Sequence, residues 1–467
     1  MSVRIEKDFL GEKQIPEDVY YGVQTLRGKE NFHITGIPMS LEPNFVKAFG
    51  YVKKAAALAN RDLGVLEPTI ADAIARACDR LIAGEMREQF VTDFIQGGAG
   101  TSTNMNANEV IANLALETLG HQKGEYQYVS PNDHVNFGQS TNDVYPTAFR
   151  LALILRLDSY MDELRRLQEA FFNKGREFEG VLKMGRTHLQ DAVPMSLGQE
   201  FHGWGTTIGE EVQRIAEVRQ FLHEINLGAT AIGTTVTAAP GYPELATRHL
   251  SQLTGFQFVL AGDLIEATSD TGAYVLLSGV LKRTSSKLTK ICNDIRLLAS
   301  GPRCGFNEIN LPQLQPGSSI MPGKVNPVIP EVVNQTGFLV IGLDLTVTLA
   351  ASAGQLQLNV MEPVITFALF TSISTMQYAV ESLRVNCVDG ITANAERTRD
   401  MVLNSLGIVT LLKPTLGYKQ CAEIAREGYE TGKSLHAIVV EERKLLTQAQ
   451  WDRLFSFENL ISPKFAR

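Results

Sequence analysis

Long intervals free of proline constrain this chain more than any other feature. No proline falls between Pro194 and Pro240, between Pro243 and Pro302, or between Pro363 and Pro414. Proline removes a backbone donor and clashes with the turn before it, so such intervals leave room for helices far above the mean of about 11–12 residues. Apolar residues inside them recur at three and four. One stripe is Leu153, Leu157, Met161, Leu164, Leu167 and Phe171, and another is Ile208, Val212, Ile215 and Leu222. A third runs through Leu277, Leu281, Leu288, Ile291, Ile295 and Leu298, a fourth through Phe367, Phe370, Ile373, Met376, Val380 and Leu383. The spacing predicts a mainly α fold around a central bundle of long helices. Core packing explains these stripes better than any cofactor-binding role. Several stripes are too long and too apolar for one subunit to cover, which predicts an oligomer.

At 467 residues the chain exceeds the usual single-domain size of about 100–150. Three domains are expected: an N-terminal domain over 1–140, the helical bundle over 141–395, and a small helical C-terminal domain over 396–467, where the chain becomes more charged. The net charge of −8 argues against nucleic acid as a partner, since phosphate binding needs a basic face. Cys78, Cys292, Cys304, Cys387 and Cys421 are odd in number, far apart and never in a CxxC pair. That pattern suits reduced thiols and offers no zinc site. The opening MSVRIEKDFLGEK is charged and lacks an apolar run, and no uninterrupted apolar run reaches the ~18 residues needed to cross a bilayer. The expected location is cytoplasmic, with no membrane partner, which makes the sequon at Asn334 a chance match.

Four stretches are polar in a way a helical bundle does not require. They are Gly97–Asn104, Gln139–Asp143, Gly185–Asp191 and Gly317–Pro327. The first three read as short polar loops, rich in hydroxyls and amides with few cations, which suits an anionic carbon substrate whose carboxylates must be oriented. Ser140–Asp143 precedes a long apolar stripe and reads equally well as a helix N-cap; a helix start also attracts anions. Gly97–Gly100 does not fit GxGxxG. His188 lies among Arg186, Thr187, Gln190 and Asp191, company that the other histidines lack. GYETGKS, from Gly428 to Ser434, resembles a phosphate loop but has three residues between its glycines and follows a helical stripe, so it is rejected.

Pro312, Pro316, Pro322, Pro327 and Pro330 crowd the fourth stretch, where no regular element survives. A short turn would join the flanking helices, so the length itself points to a lid or binding loop. It carries Ser318, Ser319, Lys324 and Asn326. GSSIMPGKVNP (317–327) resembles the signature of the aspartase/fumarase superfamily. GGAGTSTNMNANE (97–109), NDHVNFGQSTND (132–143) and MGRTHLQDAVPMSLGQEF (184–201) are similar to that family's other active-site regions, in the same order.

The resemblance covers essentially the whole chain and implies the three-domain superfamily fold. Flanking runs such as Pro330–Gln335 and Leu358–Pro363 are more similar to the ammonia-eliminating branch than to the hydratase branch. The implied reaction is reversible deamination of L-aspartate to fumarate, through removal of a Cβ proton and an aci-carboxylate intermediate. The alternative is hydration of fumarate, and a remote one is a non-catalytic structural protein on the same scaffold. By resemblance Ser318 is the base, with Lys324 and His188 also in the catalytic set. Thr101, Ser140, Thr141 and Ser319 would hold the β-carboxylate; Thr187, Lys324 and Asn326 would hold the α-carboxylate; Asn142 and His188 would face the amino group. No cofactor is implied, although a divalent metal could act at a site that nothing in the sequence locates. The implied assembly is a homotetramer whose active sites are shared between subunits.

Overall fold

The computed structural model of the chain describes residues 2–462. A β-hairpin opens it, β1 (Val3–Asp8) paired with β2 (Gly11–Pro16), followed by α1 (Val23–Asn31), α2 (Pro43–Asp62), α3 (Pro68–Ile82) and α4 (Thr101–Thr118). The long helices follow: α5 (Thr141–Glu177) and, after the hairpin of β3 (Leu182–Thr187) and β4 (Gln190–Ser196), α6 (Leu197–Arg219). A two-residue parallel pair, β5 (Glu224–Ile225) with β6 (Val259–Leu260), brackets α7 (Tyr242–Thr254). Then come α8 (Leu264–Ser269), α9 (Gly272–Leu298), α10 (Val328–Ser352) and α11 (Glu362–Asn386), with β7 (Ile309–Asn310) paired to β8 (Thr392–Ala393). Four short helices end the described chain: α12 (Ala395–Asn404), α13 (Lys413–Thr431), α14 (Gln448–Leu454) and α15 (Phe457–Ile461). The expected mainly α architecture is observed, and each predicted stripe lies on one long helix; Leu222 alone falls in the 3₁₀ turn after α6.

The chain divides into two compact units, neither continuous in sequence. One comprises the residues up to 161 with 213–285 and 338–376; the other comprises 162–212, 286–337 and the residues from 377 onward. An aromatic cluster fills the first unit. Phe45 meets Tyr145 edge-on at 5.2 Å, and Phe149 lies 5.4 Å from Phe370 and 4.7 Å from Tyr274. Such contacts add about 0.5–1.5 kcal/mol each beyond the burial of the rings. In the second unit Leu182 and Met184 of β3 pack with Val402, Ile408, Leu412, Ile424 and Trp451, so the C-terminal helices share a core with the hairpin.

Two helices, α10 and the stretch beginning with α11, are long and apolar enough by composition to cross a membrane, although neither is an uninterrupted apolar run. Polar positions such as Asn334 and Asp344 are spread along α10. Within one subunit α10 leaves Phe338, Leu345 and Leu349 about 60% exposed.

Candidate active site

Helix starts build the portion of the site in the first unit. The run at Gly97 is a loop only as far as Gly100, because Thr101 begins α4. Gly100 has φ +92°, and a Cβ there would lie 2.3 Å from the Tyr145 ring, so only glycine lets the chain turn into α4 at this place. Thr101 is exposed at that helix start, and its hydroxyl donates to the Gly98 carbonyl at 2.7 Å. Ser140 caps α5. Its Oγ accepts from the Asn142 N–H at 3.2 Å, while its own N–H donates to Asp143 Oδ1 at 3.0 Å, a reciprocal capping arrangement. Both readings of the Ser140 run therefore remain compatible, since a capped helix start also offers positive dipole density to an anion.

Thr141 is buried, and its Oγ1 accepts from Asn104 at 3.1 Å. Asn104 belongs to a polar network beneath the helix starts. Asn104 and Asn108 donate to Asn136 Oδ1 at 3.2 and 3.1 Å, and fully buried Lys53 donates to Asn136 Oδ1 at 3.0 Å and Gln139 Oε1 at 2.9 Å. Burial pushes the Lys53 ammonium below its ordinary range, opposed by the negative charge of Asp143, whose own carboxyl burial pushes up. The sequence reading missed Lys53 because adjacent lysines in a helix read as a solvated face. The signal was present: position 53 follows Phe45 and Phe49 at intervals of four, on the face of α2 that is buried.

A second missed element is the segment 226–237. Asn142 Nδ2 donates to the Ala231 carbonyl at 2.7 Å, and Asp143 Oδ2 accepts from the Gly228 and Thr230 N–H groups. Thr230, Thr235 and Thr237 all have φ between +57° and +72°, an uncommon conformation for a β-branched residue. Four threonines among small residues at 228–237 were the signal available.

The second unit holds the remaining residues. Gly185–Asp191 is a two-stranded hairpin instead of a loop, and His188 and Leu189 form its tip with φ +56° and +60°. Positive φ at both turn positions matches the twist of the strands, at a steric cost that Asn and Gly would avoid. Thr187 and His188 are exposed. Below them, buried Glu308 pairs with Arg186 at 2.5 Å and with Lys183 at 3.2 Å, and Lys183 also pairs with Glu200. The Arg186 guanidinium stacks 4.3 Å from the Phe306 ring centroid. A cavity of about 320 Å³ lined by Lys183, Arg186, Thr187 and Glu200 opens beside this group. Removing one member of such a buried group costs about 3–5 kcal/mol, because a charge is left uncompensated.

The loop 317–327 is closed at its neck. The Gly317 N–H donates to the Lys324 carbonyl at 2.7 Å, and Asn326 Nδ2 donates to the Gly317 carbonyl at 2.7 Å. A Cβ on Gly317 would stand 2.7 Å from the Asn326 nitrogen and 2.8 Å from the Lys324 oxygen, so the neck admits only glycine. Beyond it, Ser318 Oγ accepts from the N–H groups of Ile320 at 3.2 Å and Met321 at 3.0 Å. Two backbone donors aimed at one hydroxyl oxygen favour its ionised form. Ser319 and Lys324 are exposed, and Ile320 projects from the tip 83% exposed.

The family model described as lyase matches residues 11–342, and that of the fumarase C C-terminus matches residues 408–462. The chain belongs to the aspartase/fumarase superfamily. It is 58% identical over 464 residues to an aspartate ammonia-lyase of Pseudomonas aeruginosa, covering 99% of this chain and 98% of that one. Among solved structures of the superfamily, a cobalt-bound fumarate lyase:delta crystallin of Brucella melitensis has a TM-score of 0.96 and 50% identity, covering 99% of this chain and 100% of that one. A class II fumarase of Schistosoma mansoni, with the same coverage of both chains, has a TM-score of 0.93 and 34% identity.

Within this superfamily member, the expected site residues form two groups. Thr101, Ser140, Thr141 and Asn142 lie in the first unit, and Thr187, His188, Ser318, Ser319, Lys324 and Asn326 in the second. The rejected phosphate-loop run falls where α13 ends, with Gly432 closing that helix at φ +71°.

Proposed function

We infer that the chain is an aspartate ammonia-lyase, converting L-aspartate reversibly to fumarate and ammonia. The observation that carries the mechanism is the pair of backbone N–H groups on Ser318 Oγ. A serine hydroxyl is a weak acid, and those donors, with the Lys324 charge in the same loop, are what a serine base needs. Ser318 removes the Cβ proton, and the electron pair moves into the β-carboxylate as an aci-carboxylate. Collapse of that species forms the C=C bond and breaks the Cα–N bond, and ammonia leaves with the bonding pair.

Thr101, Ser140, Thr141 and Ser319 bind the β-carboxylate, where each preorganised donor contributes on the order of 3 kcal/mol as charge develops. Thr187, Lys324 and Asn326 bind the α-carboxylate, Lys324 as a point charge. Asn142 and His188 face the amino group. Asn104 as donor to Thr141 leaves that hydroxyl's hydrogen available for an anion. The mechanism requires no cofactor. Among the described residues no group of three or more His, Cys, Asp or Glu is placed to hold a metal.

The exposed apolar face of α10 supports a homotetramer, with active sites assembled from several subunits. All five cysteines are free, which suits a reducing, cytoplasmic setting. Identity of 58% to an aspartate ammonia-lyase against 34% to a class II fumarase favours ammonia over water as the leaving group. Following fumarate absorbance with L-aspartate and then with L-malate tests the reading. Turnover of aspartate alone is expected; turnover of malate alone would assign a hydratase, and of neither, a non-catalytic protein.

A further inference from the structure

We propose that Asp143 and the turn 226–231 form a leaving-group positioning device, locking the Asn142 amide with its oxygen toward the substrate ammonium. The inference rests on the aspartate-deaminating reading above and names the residues that orient its amino group.

Both amide ends of Asn142 are assigned by chemistry. Its side chain meets the Ala231 carbonyl at 2.7 Å, and a carbonyl can only accept. The amide nitrogen must therefore occupy that side, which turns Oδ1 to the opposite side as an acceptor. The backbone of Asn142 is held as well. Pro146 lies four residues on, inside α5, and has no N–H to give the Asn142 carbonyl. Asn226 Nδ2 takes that place, donating to the carbonyl at 3.1 Å, and lies 3.2 Å from Thr268 Oγ1.

Asp143 holds the turn that supplies these contacts. It is fully buried, and its Oδ2 accepts from the Gly228 N–H at 3.0 Å and the Thr230 N–H at 2.9 Å. Thr230 pays for its N–H direction with a left-handed φ of +59°, and the next carbonyl is the one that receives Asn142. Strain of that kind persists where surrounding contacts over-determine it. An ammonium group is a donor only, so an amide oxygen favours it and an amide nitrogen would repel it. A dicarboxylate without an amino group is indifferent to the choice.

The test compares two ligands on the full-length enzyme carrying Asp143→Asn or, separately, Asn226→Ala. The KM for L-aspartate is expected to rise by about tenfold or more, the effect of one charge-assisted hydrogen bond. In Asn226→Ala the inhibition constant of succinate, which has both carboxylates and no amino group, should stay within about twofold on the same argument. Asp143→Asn also touches the acceptor of the Ser140 N–H and should weaken succinate less than L-aspartate. Asn226→Ala leaves Asp143 and its donors in place, so it serves if Asp143→Asn does not fold. Parallel weakening of both ligands, no change in either, or loss of folding in both variants overturns the proposal. The deamination reading fails separately, if the unmodified enzyme does not release fumarate from L-aspartate.

Discussion

Ser318 shows what a single residue gains from its neighbours. Its hydroxyl is an ordinary serine until the chain at Ile320 and Met321 turns two N–H groups onto it. Replacing it with alanine removes the proposed base while leaving the loop neck intact, so Ser318→Ala is expected to lower kcat by about 10³-fold or more with thermal stability unchanged. A steady-state assay beside a thermal melt checks this. Glu362 carries a second residue-level consequence. Burial raises its carboxyl to about 8 from an ordinary 4.5, against the pull of Arg150. Between those values the folded chain retains a proton that the unfolded chain releases. Stability from this group is thus full below about pH 4.5 and is lost as pH rises through 8. Glu362→Gln should flatten the decline in melting temperature across that window, measured by scanning at several pH values. Lys53, by contrast, could be read from its place on the buried face of α2, but its partners could not, since Asn136 and Gln139 lie more than eighty residues away.

At the scale of elements, the helices were legible because burial follows a 3.6-residue period that apolar residues record. The same reasoning could not separate a polar loop from a polar hairpin at Gly185–Asp191. Its strands bury Leu182, Met184, Pro194 and Ser196 in part against the C-terminal helices, contacts remote in sequence. The loop 317–327 was legible as an interruption, from its prolines. Its closed neck was not, because that depends on how near Gly317 comes to Lys324 and Asn326. Gly317→Ala should therefore open the neck and disorient Ser318 without disturbing the helices. The expected result is a loss of kcat of about tenfold or more, corresponding to about 1.4 kcal/mol of transition-state stabilisation. Unchanged far-ultraviolet circular dichroism is expected alongside it, and full activity would show that the neck geometry is dispensable.

For the whole molecule the exposed face of α10 is the controlling feature. Phe338, Leu345 and Leu349, each about 60% exposed, would each recover about 1–2 kcal/mol on full burial, which a second copy of the chain can supply. Leu345→Glu is expected to shift the assembly toward smaller species in sedimentation and to abolish activity together with it. A fully active monomer would refute sites shared between subunits.

Period and proline placement determined the helical architecture from sequence, because they act through local backbone geometry and burial. The four polar interruptions marked the stretches to which chemistry is assigned in the proposal, since a helical core has no use for hydroxyls and amides grouped in that way. Only the tertiary structure decided how those groups are supported: which carbonyl fixes the Asn142 amide, which amides meet Ser318, and which acid balances Arg186 and Lys183. Hydrogen bonds and ion pairs depend on separations of a few tenths of an ångström between segments far apart in the chain. No local pattern encodes such distances.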